Sequence, residues 1–194
     1  MKQLLFGITI SLLLMSASCE KSQTAEPIVK NDDTTAVYTE HWVYDLAADS
    51  GSTGHYVYFD LKTKSEVTDS NSLLWHLGFR STNIILNSGA SGPGEISGQV
   101  VVGNFKDITE APTNGYVTDS ENGFAIPNGS GEGWYNYSFE NHTILPIPGR
   151  IIIVRLSDSV HYKMEIISFY EGSPESPDYQ SDKPRFYTFR YQQI

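Results

Sequence analysis

The chain has a single cysteine, Cys19, in 194 residues, which excludes a disulfide framework and a cysteine-rich metal site. It is also short of positive charge. Thirteen Lys and Arg against 23 Asp and Glu leave a net charge of −10, and without a basic field the protein cannot hold a phosphate backbone, so nucleic-acid binding is excluded. Its longest apolar stretch, Leu4 to Met15, has about 12 residues, whereas a helix needs roughly 20 to cross a bilayer. Long helical periods and strand–helix alternation are missing, which disfavours a parallel α/β enzyme fold. No G-x-S-x-G elbow is present and no carboxylate pair stands out, so nothing in the sequence asks for an enzyme. What is abundant is aromatic: 12 Tyr, 9 Phe and 3 Trp with 39% hydrophobic residues, enough to fold a soluble body.

The N-terminus is not part of that body. Lys2 precedes the apolar stretch, and Ser16-Ala17-Ser18 lead to Cys19, the pattern of a signal peptide over residues 1–18. The small residues before Cys19 resemble the lipobox of bacterial lipoproteins, with Ser16 standing where that motif usually carries an aliphatic residue. The resemblance implies that Cys19 is lipidated, by a fatty-acyl chain such as palmitate, and becomes the mature N-terminus. Removing residues 1–18 takes away Lys2 and no acid, so 12 Lys and Arg against 23 Asp and Glu give the mature chain a net charge of −11. Residues 19–35 contain only Ile28 and Val29 as large apolar residues and read as a flexible linker. The domain is expected over 36–194.

In that domain, short runs of aromatic and β-branched residues alternate with Gly, Asn, Asp, Ser and Pro clusters, which predicts a single all-β antiparallel domain of many short strands. Strands are expected at about 41–46, 56–62, 73–79, 82–87, 98–105, 123–126, 134–139, 150–156, 160–170 and 185–192. Within 160–170, Val160, Tyr162, Met164 and Ile166 fall on one face and His161, Lys163 and Glu165 on the other. Ser157-Asp158-Ser159 suits a tight hairpin, and the last run can add a third strand to that meander.

Chemistry has few places to sit. The loop from Asn87 to Gly98 is glycine-rich but lacks the Lys-Ser/Thr ending of a phosphate cradle. The five histidines never occur at zinc spacing. Asp119-Ser120-Glu121-Asn122-Gly123 has the look of a calcium loop, yet a turn explains it better. Trp42, Trp75, Trp134, Tyr135, Tyr137 and Phe139 can make a core or a flat-ligand platform, with core the default. Next to that cluster, Pro146 and Pro148 cannot continue a central strand and so place His142 on a loop or edge. A loop imidazole beside aromatics can ligate haem iron in a slot that excludes water.

Three segments together, LLWHLGFRSTNIILNSGASGPGE (73–95), GWYNYSFENHTILP (133–146) and RIIIVRLSDSVHYKMEIISFYEG (150–172), resemble the HmuY family, and the closing FYTFRYQ (186–192) fits too. The resemblance implies an all-β fold, attachment to the outer membrane as a lipoprotein and, in characterised members, haem capture for a receptor, here a TonB-dependent one. It also implies two axial side chains from two loops. His142 lies near the place of one, as cofactor-binding and metal-ligating residue. The other would come from residues 115–133, which hold no His, Met or Cys and only Tyr116 as a phenol. Met164 sits mid-strand facing the expected core, and His76 replaces an acidic residue after Trp75 in a strand. The alternative expectation is a HmuY-like lipoprotein that binds a glycan, a peptide or a partner protein.

Overall fold

The computed structural model describes residues 38–48 and 54–194; the expected signal peptide over 1–18, the expected linker over 19–35 and Cys19 lie outside the described residues. Eleven strands are formed there and no helix: β1 (His41–Ala47), β2 (Val57–Asp60), β3 (Ser65–Val67), β4 (Leu77–Arg80), β5 (Asn83–Leu86), β6 (Ser97–Val102), β7 (Tyr135–Ser138), β8 (Thr143–Pro146), β9 (Arg150–Ser157), β10 (Val160–Tyr170) and β11 (Pro184–Gln193). The five-stranded sheet runs β1-β11-β10-β9-β6, a four-stranded sheet runs β3-β2-β4-β5, and β7-β8 form a separate hairpin. All ladders are antiparallel.

The expected meander is present. Ser157 pairs with Val160, so Asp158-Ser159 make a two-residue connection, and β11 completes the trio on the far side of β10. Strand alternation then aims Tyr187, Phe189 and Tyr191 of β11 and Tyr162, Met164 and Ile166 of β10 at one core, where they meet Phe59, Leu77 and Phe79 of the smaller sheet. Phe79 stacks on Phe189 with centroids 5.5 Å apart, while Phe59 meets the same ring edge-on. Each such side chain contributes about 1.5–3 kcal/mol by leaving water, and the aromatic pairs add geometric specificity. Trp75, Trp134 and Tyr135 join the buried set, as expected of a core, whereas Trp42 and Phe139 are exposed.

The structure corrects the strand reading in four places. Residues 123–126 form no strand: Gly123 makes only an isolated bridge to Ser120. Ala125 and Ile126 are apolar because they are buried, held in place by the Asp119 carboxylate, which accepts the N–H groups of Leu86 and Ala125. The run at 73–76 is likewise an irregular lead-in to β4, in which the Asn87 amide donates to the carbonyls of Ser72 and Trp75. β3 and β8 were not expected, being only three and four residues long, the first bearing Ser and Glu and the second ending in Pro. Finally, Lys163 is on the outward face of β10 but is not solvated. The chain after β6 crosses that face, packing Phe105 on Ile151 and Ile153, and Lys163 Nζ donates to the carbonyls of Phe105 and Ile108 at 2.7 and 2.8 Å.

The glycine-rich loop has a structural purpose. A Cβ on Gly92 would lie 2.5 Å from the Trp75 ring and one on Gly94 2.6 Å from the Asn87 carbonyl oxygen. Only glycine lets the loop wrap so closely over the buried Asn87.

Candidate functional site

The hairpin that carries His142 is short, polar at its tip and closed by a four-residue loop, with Ser138 paired to Thr143. His142 is the last loop residue and adopts the left-handed region at φ 53°, a conformation that turns the chain sharply before Thr143 enters the buried layer. As the prolines suggested, β8 is not central: it pairs with β7 alone. The Tyr170 hydroxyl accepts the Ile144 N–H and fixes the hairpin against β10.

The imidazole is oriented from one side. Tyr137, two strand positions before the loop begins, places its hydroxyl 2.8 Å from His142 Nδ1, and its own backbone N–H is fixed by donation to Ser130 Oγ. When Nδ1 carries the proton and donates to the Tyr137 oxygen, Nε2 is left unprotonated and able to donate its lone pair to a metal. Such a hydrogen bond at the second nitrogen is how proteins set the tautomer of a ligating histidine. Phe139 packs edge-on against Tyr137 at 5.0 Å.

Four segments distant in sequence meet His142 in a cleft of about 250 Å³, lined by Ser81, Ile144, Phe169, Tyr170, Tyr179 and Arg185 among others. Ser81 comes from the β4–β5 turn, whose carbonyls at Ser81 and Thr82 accept the Tyr187 hydroxyl and the Trp134 indole N–H. Tyr179 comes from the β10–β11 loop and its ring meets the imidazole edge-on at 5.3 Å. Three of the six non-glycine residues with left-handed φ among the described residues, Ser81, His142 and Arg185, line this one cleft. Such conformations cost about 1–3 kcal/mol each and cluster where a ligand is clamped, which singles the cleft out. A second, apolar groove of about 370 Å³ between β8 and β10 shares the walls Ile144, Phe169 and Tyr170.

The other sequence candidates fall elsewhere. His76 is buried, and its Nδ1 lies 3.1 Å from both the Leu61 N–H and the Asp60 carboxylate. Burial lowers its pKa to about 4 even though the Asp60 charge pulls the other way, so the pair is not an ion pair at neutral pH. The neutral ring accepts the Leu61 N–H, and the Asp60 carboxylate accepts the N–H groups of Lys62 and Thr63. His76 is a structural side chain. Met164 is fully buried in the core, as its strand position suggested. Residues 115–133 do not line the cleft; Asp119, Ala125 and Ile126 pin part of that segment inside.

Opposite the imidazole stands Tyr179, together with Gln180, whose amide donates to the Tyr179 hydroxyl. Sequence reasoning missed Tyr179, Arg185 and Ser81, since a left-handed backbone at serine or arginine leaves no mark in the sequence and the cleft is assembled only by the fold. No group of three His, Cys, Asp or Glu able to hold a bare metal ion exists among the described residues. The polar groups of the cleft are one imidazole, the phenols of Tyr170 and Tyr179, the Ser81 hydroxyl and one guanidinium, against aromatic and aliphatic walls.

The scaffold has relatives. The architecture is similar to apo PinO from Porphyromonas gingivitis, with a TM-score of 0.52 and 14% identity over 82% of this chain and 98% of that one. It is similar to a protein of Bacteroides vulgatus named as HmuY-like and heme-binding (TM-score 0.51, 16% identity, 78% and 90% covered). The apo HmuY analogue of Tannerella forsythia matches with a TM-score of 0.50 and 11% identity, over 81% and 95% of the two chains. At such identities the likeness establishes the fold. No curated protein matches the chain. The family described as HmuY protein matches residues 52–191, most of the chain and nearly all of the strands built above, and the protein therefore belongs to the HmuY family.

Proposed function

We propose that the protein is a lipid-anchored haem-binding protein of the bacterial outer membrane, serving haem and iron acquisition by presenting its ligand to a TonB-dependent receptor. The observation that carries this reading is the His142 imidazole in the lining of an aromatic cleft, with its Nδ1 held by the Tyr137 hydroxyl; in the tautomer protonated at Nδ1, Nε2 is available to a metal. Haem would supply the iron that an imidazole coordinates. His142 Nε2 would be that ligand, Phe169 and Ile144 would offer apolar contact, and the Arg185 guanidinium would be a cationic, hydrogen-bond-donating partner for a propionate carboxylate.

The cleft is smaller than the roughly 300–1,000 Å³ that encloses a drug-sized ligand, so it grips one part of a large flat molecule. Tyr179 must swing off the imidazole as the ligand arrives, because edge-on rings 5.3 Å apart leave no room between them for a macrocycle. Cys19 is the residue proposed to carry the lipid, and no catalytic step is needed for capture and delivery.

The test is a haem titration of the mature protein, following the Soret band in oxidised and reduced states, with His142→Ala alongside. A saturable band weakened by that substitution supports the reading; no saturable shift at micromolar haem retires it. A second reading, a HmuY-like lipoprotein that binds a peptide, glycan or partner protein, is favoured by the neighbouring groove. That groove is larger and more apolar than the His142 cleft and contains no histidine, methionine or cysteine. Binding that survives His142→Ala but is lost in Ile167→Asp would select it.

A further inference from the structure

Strand β1 carries aromatic side chains that the core does not use. Trp42 and Tyr44 are 40% and 68% exposed, whereas Val43 between them turns inward and packs on the core. A bulge between Val43 and Leu46, with Asp45 at φ 53°, absorbs one extra residue and returns Leu46 to the interior. The two rings are parallel to within 13° with centroids 5.8 Å apart.

Trp42 is fixed rather than free. Its indole N–H donates to Glu40 at 2.7 Å, and its ring lies beside the Arg190 guanidinium, which is itself held by two hydrogen bonds to Glu165. Both acids next to the rings are engaged, Glu40 by Trp42 and Arg190 and Asp45 by the Gly172 N–H. The face therefore offers rigid, amphipathic rings whose neighbouring carboxylates are held in place by hydrogen bonds.

The same strand is where the chain from Cys19 arrives. Eighteen residues separate Cys19 from Tyr38, a length whose root-mean-square span is roughly 23 Å as a flexible coil. A folded domain of this size is about 40 Å across. The linker is thus too short to present all faces to the bilayer equally, and it favours the edge occupied by β1, at the border of the five-stranded sheet. Trp and Tyr are the side chains that settle at a membrane interface, with an apolar ring in the acyl boundary and a polar tip in water. We infer that Trp42 and Tyr44 seat the domain on the bilayer that the Cys19 lipid enters, so that the anchored protein has a defined orientation. This inference rests on the lipid-anchor reading above.

The tryptophans make the test direct, because Trp75 and Trp134 are buried to 0% and 1% exposure and only Trp42 is open. The mature lipidated protein is reconstituted into phosphatidylcholine vesicles with brominated acyl chains, as wild type, Trp42→Phe and Tyr44→Ala. Flotation reports the anchor and quenching reports the seat. The expected result is co-flotation with loss of up to about a third of the emission, abolished in Trp42→Phe and reduced in Tyr44→Ala. Haem titration should be unchanged in both variants, since neither residue lines the His142 cleft. Flotation without quenching, with Trp42 still open to acrylamide, overturns the inference and assigns the face to a soluble glycan or protein. Failure to float refutes the anchor and this inference with it.

Discussion

Tyr137 Oη and His142 Nδ1 lie 2.8 Å apart, the strand residue and the loop residue of a single hairpin locked in one orientation. The contact depends on the left-handed turn at His142, which brings the ring back over the strand that preceded it. A histidine on a more extended loop would face solvent with either tautomer.

Tyr137→Phe removes this contact while keeping the ring that packs on Phe139. Loss of an orienting partner typically costs ~10–100-fold in metal affinity, and the expected outcome is haem binding weakened by that factor with a Soret band of altered position. His142→Ala should weaken it further. Equal affinity in wild type and Tyr137→Phe, measured by titration, would remove Tyr137 from the site.

The His76 ring gives a pH dependence of known sign. Its folded pKa is about 4 against roughly 6.5 in the unfolded chain, so the unfolded state takes up the proton first. The stability that depends on the neutral ring is complete above pH 6.5 and is lost as pH falls toward 4, by at most about 3 kcal/mol. His41 and His161 are also lowered by burial and act in the same direction. Urea midpoints at pH 7 and pH 4.5 should differ markedly in wild type and much less in His76→Gln; equal differences would refute the assignment.

Asp119 should be among the costliest single substitutions on the surface-to-core boundary. Its carboxylate accepts two buried N–H groups, from Leu86 and Ala125, and Asp119→Ala orphans both, at ~1–3 kcal/mol for each. Gly89→Ala strikes the same joint from the other side, because its Cβ would fall 1.8 Å from the Asp119 carbonyl oxygen at φ 53°. Thermal melts of both variants should show losses far larger than that of Glu121→Ala, an exposed neighbour.

Lys163→Met keeps the aliphatic stem under the loop but leaves the Phe105 and Ile108 carbonyls without their donor. A loss of about 2–3 kcal/mol is expected, accompanied by faster proteolysis of the segment after β6. A variant as stable as wild type would mean that water replaces the ammonium freely.

Much of the fold was legible along the chain. Period-two alternation in β10 and β11 states which side chains face the core, and the Asp158-Ser159 connection states that β9 and β10 are neighbours. What alternation could not reveal is whether an outward face is wet, and Lys163 is buried because a loop far away in sequence crosses over it. Residues 123–126 misled for a related reason: apolar character reports burial, and burial there comes from the Asp119 clamp instead of a ladder.

The candidate site divides the same way. The prolines after His142 were enough to place it on a loop at an edge, since proline cannot donate to a ladder. The tyrosine that orients it sits five residues before it in the same hairpin, a local relationship. Ser81 comes from the β4–β5 turn, Tyr179 from the β10–β11 loop and Arg185 from the start of β11, and only the packing of two sheets and a hairpin brings them within reach of His142. Composition and pattern by themselves determined an acidic, all-β domain, because charge and strand period are properties of the chain. The cleft, the left-handed residues that line it and the exposed aromatic pair on β1 were decided by tertiary structure, because each depends on which distant segment covers which face.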